Sequence, residues 1–276
     1  MKNFTRLFDL ERTQRDGTTD ALAKVPANEE DNDVAVAEVA STPPEVYRTP
    51  SLDVDPAVLE RERILPAGAG GEHGPAYKLL RTQALRRLDQ IGANTLAVVS
   101  PTSADGKTLT AINLAIAIAA STGRTALVVD FDLRNPSVHR RFGFEPTIGV
   151  EECLETRRPV HEALVKIAGY ERLTLLPARS RVEQSSELLT ASRVGELVTE
   201  MRTRYANRVI LFDLPPVLMA DDVLAFSHHI QAALLVVGER HTKREDVTRS
   251  LELLRDTPVI GTVLNQSRTR DMKTYY

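Results

Sequence analysis

Tryptophan is absent from this 276-residue chain, and there is a single cysteine, Cys153. One thiol excludes an internal disulfide and any cysteine-rich metal site, and it suits a reducing compartment. An excess of one charge is also lacking. Thirty-five Lys and Arg stand against 38 Asp and Glu, for a net charge of -3. That balance argues against an electrostatic nucleic-acid binder, so no nucleic-acid partner is expected. Long apolar runs are missing as well. The longest, AINLAIAIAA at 111–120, contains Asn113 and is too short to span a bilayer. The opening MKNFTRLFDLERTQRD lacks the apolar core of a secretory signal. The expectation is a cytoplasmic protein, recruited to the inner face of the membrane only through a partner.

Residues 11–60 have no Phe, Trp or Ile but five prolines, and acidic clusters such as EEDND at 29–33. Such a stretch buries too little apolar surface to offset its ordering entropy, so 1–65 is expected to be largely disordered. Ahead of it, Phe4, Leu7, Phe8 and Leu10 fit one stripe of a short helix over 3–12. That helix would be a docking motif for a partner, or else a frayed end. The folded domain is expected over 66–268, with a flexible tail over 269–276.

Within 66–268, apolar runs alternate with amphipathic segments. The runs are TLAVVS (95–100), TALVVDFD (125–132), LTLLPA (173–178), RVILFDLPP (208–216), AALLVVGE (232–239) and VIGTVLN (259–265). Runs this rich in Val and Leu suit strands buried on both faces. A helical pattern precedes them at 75–91, and others lie between them, as at 107–121, 184–205 and 243–255. The alternation predicts an α/β fold, with a mostly parallel central sheet flanked by helices. Ligands of such sheets sit beyond the carboxyl ends of the strands.

Chemistry gathers at those ends. After the first run comes SPTSADGKT, a turn of small residues leading into a helix. Backbone N–H groups of Ser103, Ala104, Asp105 and Gly106 could wrap an anion at the helix start. Lys107 would reach the outer phosphates, and the Thr108 hydroxyl would coordinate Mg²⁺. Pro101 stands where a first glycine is usual, at a strand-to-loop junction that tolerates its fixed φ. Asp105 is the unusual member, because its carboxylate must turn away from any phosphate. The second run ends in Asp130-Phe131-Asp132, whose carboxylates alternate to the same side. The fourth ends in Asp213, followed by the strand-stopping Pro215-Pro216. Three carboxylates at buried strand ends would be costly as bare charges but suit a shared Mg²⁺. The bland alternative is that each Asp caps the following turn.

SADGKT, VVDFDLRNP (128–136) and VILFDLPPVLMADD (209–222) resemble the three nucleotide motifs of the bacterial tyrosine kinases of capsular and exopolysaccharide biosynthesis. The resemblance extends through RRFGFEPTIGVEECL, the segment around SSELLT and the last two strands, covering roughly 75–268. It implies a P-loop NTPase fold of the deviant Walker A type. It also implies ATP and Mg²⁺ as cofactors, and autophosphorylation of a tyrosine cluster in the tail, here Tyr275 and Tyr276.

By the same resemblance, Ser103 to Leu109 bind nucleotide, Lys107 is catalytic, and Thr108, Asp132 and Asp213 serve the metal. Asp130 is the base for the acceptor phenol, and Asn265 lies near the adenine. The implied partner is a membrane chain-length-determining protein (a polysaccharide co-polymerase) acting in trans, alongside self-association. One departure concerns assembly, because the family's Glu-x-x-Arg-x-x-Arg helix reads Pro75, Lys78 and Arg81 here. Two other functions compete with an autokinase. One is a non-kinase ATPase switch like the partition and division-site ATPases, although PTSAD lacks their early second lysine. The other is a scaffold that has lost nucleotide binding.

Overall fold

The computed structural model describes residues 6–8, 49–121, 123–204 and 207–267. In chain order the elements are β1 (Arg6–Phe8), β2 (Ser51–Leu52), α1 (Pro56–Arg61), α2 (Gly74–Gln90), β3 (Thr95–Val99), α3 (Lys107–Ala119), β4 (Thr125–Asp130) and α4 (Val138–Phe142). Then follow α5 (Val150–Glu155), α6 (Val160–Ala163), β5 (Lys166–Ile167), β6 (Leu173–Leu176), α7 (Ser185–Thr190), α8 (Ser192–Arg204) and β7 (Arg208–Asp213). The chain continues through α9 (Asp222–Phe226), a 3₁₀ turn at Ser227–His229, β8 (Ala233–Gly238), α10 (Arg244–Leu253) and β9 (Val259–Asn265).

All six apolar runs form strands. They lie in one sheet of order β1-β9-β8-β3-β7-β4-β6, parallel throughout except for β1, which runs antiparallel to β9. The expected α/β architecture is therefore observed. Strand side chains alternate between two cores. Leu96 and Val98 of β3 face one with α2 and α3, while Ala97 and Val99 face the other with α5 to α9. On α2 the buried Tyr77, Leu80, Ala84 and Leu88 keep helical spacing, so one stripe docks and the other face is left to solvent. Helix α3 is buried almost all round, which explains why its sequence is so apolar. On the opposite face Phe131 stacks on Phe212 at 5.5 Å, and Phe226 meets both edge-on at 5.0 and 4.9 Å. Offset and edge-on aromatic pairs add about 0.5–1.5 kcal/mol each beyond area burial.

Three sequence expectations differ from the structure. The helix expected over 184–205 breaks at Ala191, which is extended (φ -65, ψ 144), giving α7 and α8. The docking helix proposed over 3–12 contains strand β1 instead, and the rest of that stretch lies outside the described residues. Strand β9 would otherwise offer an edge row of unpaired backbone groups, and β1 covers it.

The largely disordered segment expected over 1–65 ends in an ordered strap at 49–65. Strand β2 pairs with β5, and Asp55 caps α1 through a 2.8 Å bond from the Ala57 N–H. Beyond α1, Asn113 of α3 holds the strap by accepting from Leu65 N (2.9 Å) and donating to the Arg63 carbonyl (3.0 Å). Tyr170 donates to the Leu65 carbonyl, and Ile64 and Leu65 are buried. Averaging composition over the acidic run hides these few well-placed apolar residues. Among the described residues no helix is long and apolar enough to cross a membrane.

Candidate nucleotide and phosphoryl-transfer site

Register brings the site together. Val98 of β3 pairs with Asp213 of β7, which pairs in turn with Asp130 of β4. The loop after β3 therefore opens level with both aspartates, at the carboxyl edge of the sheet. Helix α3 starts there because Gly106 takes φ 89, and a Cβ at that position would lie 2.1 Å from Asn265 Nδ2. Glycine alone satisfies both demands. The first N–H groups of α3 have no partner within the helix and face the loop, as anion sites at helix starts require.

The loop is held from outside by the ends of β8 and β9. Asn265 Nδ2 donates to the Asp105 carbonyl at 2.9 Å, and Gln266 Nε2 to the Ala104 carbonyl at 2.6 Å. His241 Nε2 meets the Ser103 carbonyl at 2.9 Å, so that nitrogen carries the proton. Asp105 is fully buried with its carboxylate directed away from the phosphate side of the loop. It accepts from Thr102 N (3.0 Å), Thr102 Oγ1 (3.1 Å), Thr242 Oγ1 (2.5 Å) and Gly238 N (3.3 Å). The oddity of a carboxylate in a phosphate loop thus has a structural answer. Asp105 ties the loop to the segment after β8.

Lys107 sits at the centre. Its Nζ donates to Asp132 Oδ2 at 2.7 Å, Asp213 Oδ1 at 3.2 Å and Thr108 Oγ1 at 3.3 Å. Thr108 Oγ1 donates in turn to Asp213 Oδ2 at 2.6 Å. Burial pulls the Lys107 pKa down, but Asp213 and Asp132 outweigh it and hold the ammonium charged. Burial pushes the carboxyl of Asp213 upward, against the pull of Lys107 and Thr108. Asp130 is fully buried behind them. Burial and the neighbouring Asp213 push it up to about 8, although the N–H groups of Val138 and Ser137 donate to its Oδ2 at 2.9 Å each. Its Oδ1 has no hydrogen-bond partner. Asp130 thus does cap the turn into α4, as the bland reading held, with one oxygen left over.

These groups edge a cavity of about 800 Å³. Ser103, Ala104, Gly106, Lys107, Thr108 and Leu109 line it, as do Asp132 and Asn265; Asp105, Asp130 and Asp213 lie behind its surface. Asn265, expected near the adenine, lines the cavity while its amide donates to the loop. Sequence reasoning missed Gln266, His241, Thr242 and Ser137, whose hydroxyl is 3.2 Å from Thr108 Oγ1. The only signal for Gln266, His241 and Thr242 was their position shortly past a strand end, and for Ser137 its place at the start of α4. Tyr275 and Tyr276 lie outside the described residues.

The set fits a magnesium nucleotide. Thr108, Asp132 and Asp213 converge on one cation, and the Lys107 ammonium holds that place. Among the described residues no cluster of three His, Cys, Asp or Glu could hold a metal alone. Mg²⁺ needs only one or two carboxylates and completes its shell with water and phosphate.

Comparison with known proteins agrees with this geometry. A model of the ParA family, described as the NUBPL iron-transfer P-loop NTPase, matches residues 92–274. The tyrosine-protein kinase YwqD of Bacillus subtilis is 26% identical over 201 residues, which is 72% of this chain and 83% of YwqD. The putative tyrosine-protein kinase EpsB of Ralstonia solanacearum is 28% identical over 196 residues, 69% of this chain but 25% of EpsB. Among solved structures, the chimerical protein CapA2B2 superposes with a TM-score of 0.68 at 22% identity, covering 80% of this chain and 94% of that one. The septum site-determining protein MinD of Pyrococcus horikoshii, solved with Mg-ADP, reaches 0.52 at 20% identity, covering 61% and 68%. The chain belongs to the ParA family of P-loop NTPases, and most of the curated relatives it resembles, YwqD among them, are named tyrosine-protein kinases or putative ones.

Proposed function

We propose that this protein is an ATP- and Mg²⁺-dependent tyrosine autokinase that regulates capsular or exopolysaccharide polymerisation and export. The observation that carries the reading is the convergence of Lys107, Thr108, Asp132 and Asp213 on one point at the mouth of a clamped phosphate loop. Bound there, Mg²⁺ would supply charge neutralisation on the phosphates, held by Thr108 with Asp132 and Asp213.

The loop N–H groups from Ser103 to Thr108 bind the phosphates, and Leu109 and Asn265 complete the nucleotide end. Lys107 leaves its carboxylates for the outer phosphate oxygens as the nucleotide enters. The acceptor phenol oxygen then attacks the γ-phosphorus, the bond to the β,γ-bridging oxygen breaks, and ADP leaves. A phenol of pKa ~10 keeps its proton at neutral pH, so a carboxylate must take it. Asp130 is the base that the resemblance assigns. Its Oδ1 has no hydrogen-bond partner but lies buried behind the cavity surface, on a carboxyl pushed up to about 8. This step therefore requires the entering nucleotide and acceptor to uncover and ionise it. The rest is positioning and electrostatic neutralisation.

Tyr275 and Tyr276 are the proposed acceptors, presented by a neighbouring copy. The proposed partner is a membrane chain-length-determining protein acting in trans from the inner face of the membrane. EpsB supports a partner of that kind, because the matching domain occupies only a quarter of that much longer protein.

The test is to incubate the full chain with ATP, Mg²⁺ and the partner, and to map phosphate on the tail by mass spectrometry. Phosphotyrosine at 275 or 276, lost in Lys107→Ala, is the expected result. Steady ATP hydrolysis without phosphotyrosine would replace this reading with a nucleotide-driven switch.

A further inference from the structure

The cavity has two ends of different character. At the inner end the loop, Lys107 and Thr108 are arranged for phosphates. The outer end, beyond Asp132, is walled by guanidinium groups. Arg61 and Arg63 come from the strap, Arg140 and Arg141 from α4, and Arg134 from the loop after β4. Glu62 is the one carboxylate on that outer wall. It is taken up by Arg141 at 2.8 Å, with Arg61 at 3.4 Å. Arg134 is likewise engaged, with Asp222 at 2.8 Å and Asp221 at 3.1 Å. Arg63 and Arg140 are exposed and have no carboxylate partner among the described residues.

The wall is built rigidly. Asn113 fixes the backbone at Arg63 and Leu65 to α3, so the strap guanidiniums ride on the helix that starts at the phosphate loop. Val58 of α1 packs on Gly143 at the end of α4, joining the two arginine-bearing elements.

An acceptor that enters along this wall meets its guanidiniums, and a cationic peptide there would meet uncompensated like charge. The chain's own tail, RTRDMKTYY, carries Arg268, Arg270 and Lys273 against Asp271. We infer that the outer wall is an acceptor seat selecting tyrosines flanked by carboxylates, and that the unmodified tail is the weaker acceptor. The inference rests on the kinase reading above and names the substrate class for that site.

The test uses the full chain with Mg²⁺ and a non-hydrolysable ATP analogue. Two fluorescent peptides of equal length are titrated by anisotropy, one with Asp and Glu around a central tyrosine and one with Lys. The acidic peptide binds about tenfold tighter at low salt, and most of that preference disappears at 0.5 M salt, where charges are screened within a few ångströms. The double variant Arg63→Glu with Arg140→Glu loses the preference while keeping its melting temperature and its affinity for the analogue. Equal binding of the two peptides would overturn the seat. So would a double variant that loses nucleotide affinity as much as peptide affinity, because the arginines would then serve ATP. Binding to phosphatidylglycerol vesicles with no discrimination between the peptides would also overturn it.

A parallel assay with ATP separates the two ideas. Acidic peptide that binds selectively while neither it nor Tyr275 or Tyr276 gains phosphate would remove the kinase reading and leave the wall as a binding site for acidic peptides. Equal phosphorylation of both peptides would do the reverse.

Discussion

At the residue scale, Asp105 shows how a side chain can sit in a phosphate loop without addressing the phosphate. Its four donors come from the loop itself, from the end of β8 and from the segment after it. Asp105→Ala strands the N–H of Thr102 and the hydroxyls of Thr102 and Thr242, while Gly238 N keeps Thr242 Oγ1 as an acceptor at 3.1 Å. A buried group left unpaired costs about 1–3 kcal/mol. Asp105→Asn keeps part of the network. The expected order of melting temperature and of ATP affinity is therefore wild type, Asn, then Ala. Equal ATP affinity in all three would show that the loop holds its shape without the clamp. Gly106 is stricter, since a Cβ would collide with Asn265 and strain a left-handed backbone. Gly106→Ala should lose measurable nucleotide binding in a titration that still detects Asp105→Asn.

His139 offers a separate test. Its ring is almost fully buried beside Phe144, and its Nδ1 has no hydrogen-bond partner. Burial holds its pKa below the usual value, helped by the positive charge of Arg140 and opposed by Glu145 and a bond to Ala178. A histidine pKa lowered in the folded state stabilises the fold fully above about 6.5, and that contribution is lost as pH falls through the folded value. Melting temperature should therefore drop more between pH 7 and 5 in the wild type than in His139→Gln.

At the element scale, what the sequence revealed followed pattern strength. The six apolar strands and the glycine-lysine-threonine turn were readable because each packs two periods of burial or a special backbone into a few residues. Strap, β1 and β5 were not, since two- and three-residue strands carry no periodicity and owe their order to partners distant in sequence. Asn113 illustrates this. In the sequence it is a polar blemish in an apolar helix, and in the fold it is the anchor of the strap. Asn113→Leu keeps the helix apolar but leaves Leu65 N and the Arg63 carbonyl without their partner. Limited proteolysis should then cut between 56 and 68 several times faster than in the wild type, with the body of the domain intact. Unchanged cleavage would mean that Ile64, Leu65 and Tyr170 hold the strap without Asn113.

At the scale of the whole molecule, the site is assembled from every part of the sheet edge. The phosphate loop follows β3, the carboxylates end β4 and β7, the loop clamps follow β8 and β9, and the strap closes the outer wall. The aspartates were visible in the sequence as strand ends, but their neighbours were not, because β3, β7 and β4 are adjacent only through crossover connections. A nucleotide that bridges these strands binds the native arrangement and has no site in the unfolded chain. Its stabilisation then follows mass action, about 2.7 kcal/mol at a hundredfold excess over Kd. For a domain of this size, each kcal/mol moves the midpoint by about 2–4 °C, so Mg-ATP should raise it by roughly 5–10 °C. Chelating the metal should remove most of that shift, since Thr108, Asp132 and Asp213 would then face the triphosphate without a shared cation. Lys107→Ala should remove the rest. Thermal scans of the full chain with Mg-ATP, with ATP and chelator, and with Mg²⁺ alone decide the matter. An equal shift with and without Mg²⁺ would place the metal outside the binding step, and no shift in any arm would return the loop to a structural role.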